Sequence, residues 1–303
     1  MGKLMETARI GGMELRNRIV FLPMATHLAG RDGAVTQPLI DYYARRAQGG
    51  AGLIVVEACA VDPHYFMAPT QVRVCDDKNI PGLAALASAV KAHGAKISAQ
   101  VHHPGRQSTT AAAGRQPVAP SPIPCPFIGE MPRELSLGEI ETLVEEFAQG
   151  ARRLKEAGFD AVEIHGAHGY LICQFLSGYS NQRQDKYGGD LHRRSRFALE
   201  VVARTREVVG PRFPIVFRLS ADEYVPGGLT LDETKVIARL LEEAGVDALS
   251  VSAGNYDSFE WVVQPMIMPR GVLLPLAQGI KQAVHVPVIA AGRLNDVKLA
   301  EKA

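Results

Sequence analysis

The chain has 303 residues, of which 47% are apolar and 21% are charged, with 33 Lys and Arg against 32 Asp and Glu. That length fits two average domains or one large α/β barrel, and the apolar share is too high for a disordered chain. A net charge of +1 argues against a nucleic acid or an anionic membrane surface as a partner.

Predicted helices and strands alternate along the chain. The strand predictions are Arg18–Met24, Gly52–Glu57, Lys96–Val101, Asp160–His165, Pro214–Ser220, Asp247–Ser252 and Val286–Ala291. The helix predictions are Pro38–Gln48, Ile80–His93, Ser136–Ala157, Leu191–Val209, Leu231–Ala244 and Leu273–Val284. The strands are nearly continuous in apolar residues, as expected when both faces of a sheet are covered. Short connections between them predict βαβ units and a parallel sheet.

Seven such units without a linker favour an α/β fold of the (β/α)₈ TIM-barrel type over a doubly wound sheet. We expect one domain over residues 1–303 that is incomplete, because it lacks the eighth strand and any appended domain. The segment His103–Arg133, rich in Pro, Ala and Ser, predicts a long loop after the third strand. Loops of that length are often lids or substrate-binding segments.

Several features bear on the cellular setting. The N-terminal segment has no apolar stretch typical of a secretion signal, and no run approaches the ~18 residues that span a bilayer. The cysteines Cys59, Cys75, Cys125 and Cys173 lack the spacing of a zinc or iron–sulfur motif. We therefore expect a cytoplasmic enzyme with a small-molecule substrate, no metal and no membrane or nucleic-acid partner. Its state as monomer or homo-oligomer is left open.

Polar residues mark the carboxyl ends of four predicted strands, where TIM barrels carry their chemistry. They are Gln100, His165 with His168 and Tyr170, Arg218, and Gly292 with Arg293. The first two strands end instead in small or apolar residues, Pro23, Met24, Ala25 and Thr26 in one case and Ala58, Cys59 and Ala60 in the other. A mouth lined in this way suits a flat heteroaromatic ring.

The block HGAHGYLICQFLSGYSNQRQDKYGG, His165–Gly189, resembles the signature of the old yellow enzyme family. More closely, it resembles the branch that contains 2,4-dienoyl-CoA reductase, the enoate reductases and the bile-acid flavin oxidoreductases. The segments LRNRIVFLPM, GLIVVEA, AQVHHPGRQS and FRLSADE extend the match over essentially the whole chain. The resemblance implies an FMN-dependent ene-reductase that passes hydride from NAD(P)H to the C=C of an α,β-unsaturated carbonyl, such as an enoyl-CoA, dienoyl-CoA or steroid enone. For a C-terminal region outside this sequence, it allows a 4Fe-4S cluster and FAD.

The resemblance also implies roles for the flavin-binding candidates. Gln100 matches the residue that bonds the pyrimidine edge of FMN, and an amide offers the donor and acceptor needed there. Arg218 matches the arginine at flavin N1 and O2, where negative charge develops on reduction. The other implied contacts are Pro23, Met24, Ala25, Thr26 and Ala58 along the ring, and Gly292 and Arg293 at the phosphate.

The catalytic candidates come from one segment. His165 and His168 match the pair that holds the carbonyl oxygen of the substrate, and Tyr170 matches the donor of a proton to the α-carbon. A tyrosine with a pKa of ~10 keeps its proton at neutral pH. The chain departs from many relatives by carrying Ala25 where they have Cys or Thr, and it offers Tyr256 where one relative has a histidine.

Two other interpretations stay open at this point. A metal-dependent barrel hydrolase could use His102, His103, His165 and His168 as ligands, although neighbouring residues of a strand point to opposite faces. Alternatively, the chain could be a non-catalytic fragment that holds no flavin.

Overall fold

The computed structural model describes residues 2–303 and contains eleven strands in those residues. They are β1 (Ala8–Ile10), β2 (Met13–Leu15), β3 (Val20–Phe21), β4 (Leu53–Ala60), β5 (Lys96–His102), β6 (Val118–Ala119), β7 (Arg133–Glu134), β8 (Ala161–Gly166), β9 (Ile215–Ser220), β10 (Ala248–Ser252) and β11 (Val288–Ala290). Seven of them pair side by side in one parallel sheet, in the order β3-β4-β5-β8-β9-β10-β11. These are the seven predicted strands, with the first and the last shorter than expected.

The same residues form ten α-helices. They are α1 (Gln37–Gln48), α2 (Ile80–Lys91), α3 (Thr110–Ala113), α4 (Leu137–Glu156), α5 (Leu171–Leu176), α6 (Leu191–Val209), α7 (Leu231–Glu243), α8 (Phe259–Val262), α9 (Leu274–Ala283) and α10 (Val297–Lys302). The six long predicted helices are confirmed. Ser136 and Glu139 form a capping box at the start of α4, because the side chain of each accepts the backbone N–H of the other.

The sheet curves into the barrel type predicted from the sequence, with helices packed on its outer surface. The helices and the outward side chains of the strands share one large apolar core. A second, smaller core fills the amino-terminal end of the barrel, where Leu53, Val55, Ala161, Val216 and Ala248 meet the hairpin β1–β2. The hairpin residues Ile10, Met13 and Leu15 contribute to that core. This end is therefore closed by apolar packing, and polar chemistry is left to the carboxyl end.

Two local features matter for the site. The long segment after β5 is not entirely irregular, because it contains α3 and the short parallel pair β6–β7. In β4, the pairing with β5 shifts by one residue between Val56 and Ala58, which is a β-bulge at Glu57. As a result, Ala58 pairs with Gln100. None of the helices in residues 2–303 has the length and apolarity to cross a bilayer.

Candidate active site

The imidazoles of His102, His165 and His168 and the phenol of Tyr170 lie together at the carboxyl end of the barrel. The ring of Tyr170 is 4.8 Å from that of His165 and 6.3 Å from that of His168, centroid to centroid. The two histidine rings are 5.1 Å apart at 86°. His165 is the penultimate residue of β8, while His168 and Tyr170 belong to the tight turn that leads into α5. The structure therefore brings the three predicted catalytic residues to one place.

The turn after β8 fixes the direction of both histidines. His168 has a φ of 62°, which is left-handed backbone that few non-glycine residues adopt. Its N–H donates to Ser220 Oγ at 2.9 Å, and its Nε2 lies 2.7 Å from Ser252 Oγ. His165 Nδ1 accepts the N–H of Ala167 at 3.3 Å, so a neutral His165 carries its proton on Nε2.

Burial controls the charge of these side chains. It lowers the pKa of His165 and of His168 well below the usual range, and the nearby Arg218 guanidinium lowers both further. Both imidazoles are therefore neutral at pH 7. Burial likewise raises the pKa of the Tyr170 hydroxyl well above its usual value. The mouth thus holds neutral hydrogen-bond donors and a phenol that keeps its proton.

Gln100 and Arg218 lie on the inner face of the barrel, both buried at 3% and 8% exposure. Between their strands stands Glu163, which is fully buried. Gln100 Nε2 donates to Glu163 Oε1 at 2.7 Å, so the amide oxygen of Gln100 points away from this carboxylate. Burial raises the pKa of Glu163, and the charge of Arg218 opposes that rise.

Buried polar atoms on this inner face that lack a hydrogen-bond partner indicate which chemical groups the barrel can bind. Arg218 Nε and Nη1 are buried without a hydrogen-bond partner in the protein. Buried donors of this kind need an acceptor. The pyrimidine ring of a flavin carries carbonyl and ring-nitrogen acceptors beside an N–H, which match a guanidinium and an amide. The residues present therefore fit FMN.

The remaining predicted cofactor contacts surround the same end of the barrel. Pro23, Met24, Ala25 and Thr26 follow β3, and the N–H of Thr26 donates to Glu57 Oε2 at 2.9 Å. Ala58 pairs with Gln100 across the bulge. Gly292 and Arg293 follow β11, but Arg293 Nη1 donates to the carbonyl oxygens of Pro265 and Met266 at 3.2 and 2.7 Å. In this structure, the Arg293 guanidinium therefore ties down the 265–268 loop.

The directions of the histidine side chains argue against the metal-dependent hydrolase that the sequence left open. His102 faces the mouth, with its ring 4.4 Å from that of Tyr170. His103 faces the other way, where its Nε2 lies 3.6 Å from Asp62 Oδ2. Within residues 2–303, no group of three His, Cys, Asp or Glu side chains is placed to hold a metal ion.

The sequence analysis missed two residues of the site, Glu163 and Ser252. It assigned a different role to a third, His102. Glu163 precedes His165 by two residues, so strand alternation alone puts both on the inner face. Ser252 holds the same kind of position at the end of β10, next to His168. His102, considered only as a metal ligand, packs on Tyr170 and His165.

Together, this barrel and its polar mouth define a flavin-binding oxidoreductase scaffold. Comparison with known proteins identifies the family within this class. The model of the NADH:flavin oxidoreductase / NADH oxidase family matches residues 3–303. The chain belongs to this family, which is FMN-dependent, and the resemblance to old yellow enzyme is confirmed.

Individual relatives differ in how much of their length is matched. The chain is 52% identical over 301 residues to an NADH oxidase of Thermoanaerobacter brockii, covering 99% of this chain and 46% of the relative. It is 40% identical to an NADPH dehydrogenase of Geobacillus sp. (strain WCH70), covering 97% and 84%. A structure of 2-naphthoyl-CoA reductase with 2-naphthoyl-CoA superposes with a TM-score of 0.95 at 30% identity, covering 99% and 48%. The chain thus spans about half the length of the first and the third of these proteins.

Proposed function

We propose that residues 1–303 form the FMN-binding barrel of an NAD(P)H-dependent reductase that acts on the C=C of α,β-unsaturated carbonyl compounds. FMN, when bound, supplies hydride transfer from a reduced nicotinamide to an electron-poor double bond. The observation that carries the proposal is the joint placement of Tyr170, His165 and His168 beside the buried Arg218 and Gln100.

Each of these side chains has a separate role in the proposed reaction. The neutral imidazoles of His165 and His168 donate hydrogen bonds to the carbonyl oxygen, which draws electron density from the double bond. Tyr170 holds its proton because burial raises its pKa, and it delivers that proton to the α-carbon. Gln100 and Arg218 would hold the pyrimidine edge of the cofactor, where the cation of Arg218 would offset negative charge.

The other predicted contacts complete the proposed cofactor site. Pro23, Met24, Ala25, Thr26 and Ala58 pack along the ring, and Gly292 and Arg293 approach the phosphate. Arg293 binds the carbonyl groups of the 265–268 loop through Nη1, and the remaining N–H groups of its guanidinium are the donors proposed for the phosphate. A cytoplasmic location, an eighth strand outside this sequence, and a region with a 4Fe-4S cluster and FAD stay predictions.

Tyr170→Phe tests the assignment directly. Rapid mixing should show reduction of the bound flavin by NAD(P)H close to the parent rate. Reoxidation of the reduced protein by an enone should slow by ~100-fold or more, since general acids contribute factors of that order. Reoxidation by a quinone, which needs no proton on carbon, is the control. Enone turnover at the parent rate in this variant would remove Tyr170 from its role.

A further inference from the structure

Three aromatic rings pack together beside the mouth of the barrel. Phe127 and Phe259 are almost parallel, at 10° and with ring centroids 6.2 Å apart. Tyr256 is nearly perpendicular to both, at 83° and 89°, with its centroid 5.6 Å from each. We call this set of three residues the aromatic box. Two nearly parallel rings and a third ring perpendicular to both form a cluster with flat aromatic faces.

The aromatic box is continuous with the proposed catalytic residues. The hydroxyls of Tyr256 and Tyr170 are 3.0 Å apart, and their ring centroids are 5.8 Å apart. Tyr256 therefore has one side in the mouth and the other facing Phe127 and Phe259. The aromatic box is thus connected to the Tyr170 hydroxyl through Tyr256.

The box is built on ordered backbone. Phe127 lies in a turn where the N–H groups of Ile128 and Gly129 both donate to the carbonyl oxygen of the buried Cys125, at 3.0 and 2.8 Å. Tyr256 follows Asn255, whose Oδ1 accepts the N–H of Asp257 at 2.9 Å. These hydrogen bonds hold the backbone that carries Phe127 and Tyr256.

Two of the three rings are unusually exposed for phenylalanine, at 69% for Phe127 and 44% for Phe259. Exposed aromatic area beside a polar site indicates a surface that binds an apolar partner. The exposed faces of Phe127 and Phe259 can therefore stack against a flat group of a bound molecule.

We propose that the aromatic box binds a flat aryl substituent of the substrate, so that this site prefers aryl-bearing unsaturated carbonyl compounds to alkyl ones. The inference rests on the proposed function and names its substrate class. The aromatic faces of the box favour a flat aryl group, because offset or edge-to-face ring pairs contribute more binding free energy than their buried area alone explains. A flexible alkyl chain gains no such contacts.

The test compares two enones that differ in one group, phenyl or methyl, in the flavin-loaded protein. Phe127→Ala and Phe259→Ala should each lower kcat/KM for the phenyl substrate by about tenfold, the upper end for loss of an aromatic pair. For the methyl substrate, kcat/KM should stay within about twofold of the parent value, since each variant removes only a ring from the box. Met131→Ala, an exposed methionine at 54% on the same long segment, is the matched control and should change neither value. Tyr256 is left intact because its hydroxyl contacts Tyr170.

A second measurement needs no turnover. Calorimetric titration of the oxidised protein with a saturated phenyl ketone should show weaker binding in both Phe variants and unchanged binding in the Met131 variant. Equal losses for both enones would overturn the proposal. So would an unchanged phenyl preference together with an altered oligomeric state, since the box would then be a protein contact. If the parent protein reduces neither enone, the proposed function fails, while calorimetry still decides whether the box binds an aryl group.

Discussion

Glu146 provides the sharpest prediction about stability. It lies on α4 and lines a cavity of about 110 Å³ together with Asp62, Tyr65 and His103. Its Oε2 atom is buried without a hydrogen-bond partner. Burial, and next the negative charge of Asp62, raise the pKa of Glu146 to about 8 from an ordinary 4.5. Glu146→Gln keeps the shape of the side chain and removes its titration.

The sign follows from the two pKa values. Below pH 4.5 the carboxyl is protonated in both the folded and the unfolded chain, so it costs no stability. As pH rises toward 8, only the unfolded chain releases the proton, and stability falls. The interval from 4.5 to about 8 would correspond to about 5 kcal/mol at ~1.36 kcal/mol per tenfold change. Because Glu146 is only partly buried, solvent screening reduces the expected penalty to about 2 kcal/mol.

Thermal unfolding at pH 5 and pH 8.5 measures the effect. We expect Glu146→Gln to raise the melting temperature by about 4 °C at pH 8.5 and by much less at pH 5. The control is Glu141→Gln, an exposed carboxylate on the same helix, which should show no such pH dependence. An equal gain at both pH values would show that Glu146 titrates normally and refute the reasoning.

Two further predictions concern the flavin-binding residues. Arg218→Ala removes a buried cation with two unpartnered N–H groups, so FMN should bind at least about tenfold more weakly, as expected for hydrogen bonds to a charged group. Fluorescence titration measures this, and the reduction potential should fall as well, so an unchanged midpoint would count against the role of Arg218. Glu163→Gln removes a negative charge beside Arg218 and should raise the midpoint in spectroelectrochemistry. An unchanged midpoint would mean that Glu163 holds no negative charge there.

The sequence predicted the barrel well because its signals are local and repeated. Apolar runs identify the strands, and glycines after the helices identify where these end. The hairpin β1–β2 escaped prediction because its strands have three residues each, too few for a clear alternation. Helix α5 was missed as well, since its six residues are all buried and show no polar face.

The site was predictable where strand alternation reaches and unpredictable where loops decide. His165 and Arg218 follow from their strands, and Glu163 could have been found by the same rule. The hydrogen bond between Tyr170 and Tyr256 joins residues 86 positions apart, and no pattern in the chain encodes that contact. The engagement of Arg293 with the 265–268 loop depends likewise on how two loops fold against each other.

The bulge in β4 decides which side chain stands next to the proposed flavin amide. Without the additional residue, the pairing of Val56 with Ala99 would continue with Glu57 opposite Gln100. Two carboxylates would then flank a single amide inside the barrel, where like charges repel strongly. Instead, Glu57 lies against Tyr43 and the backbone of Thr26, and a methyl group takes its place. Deleting Ala58 would thus place the side chain of Glu57 opposite the proposed flavin amide.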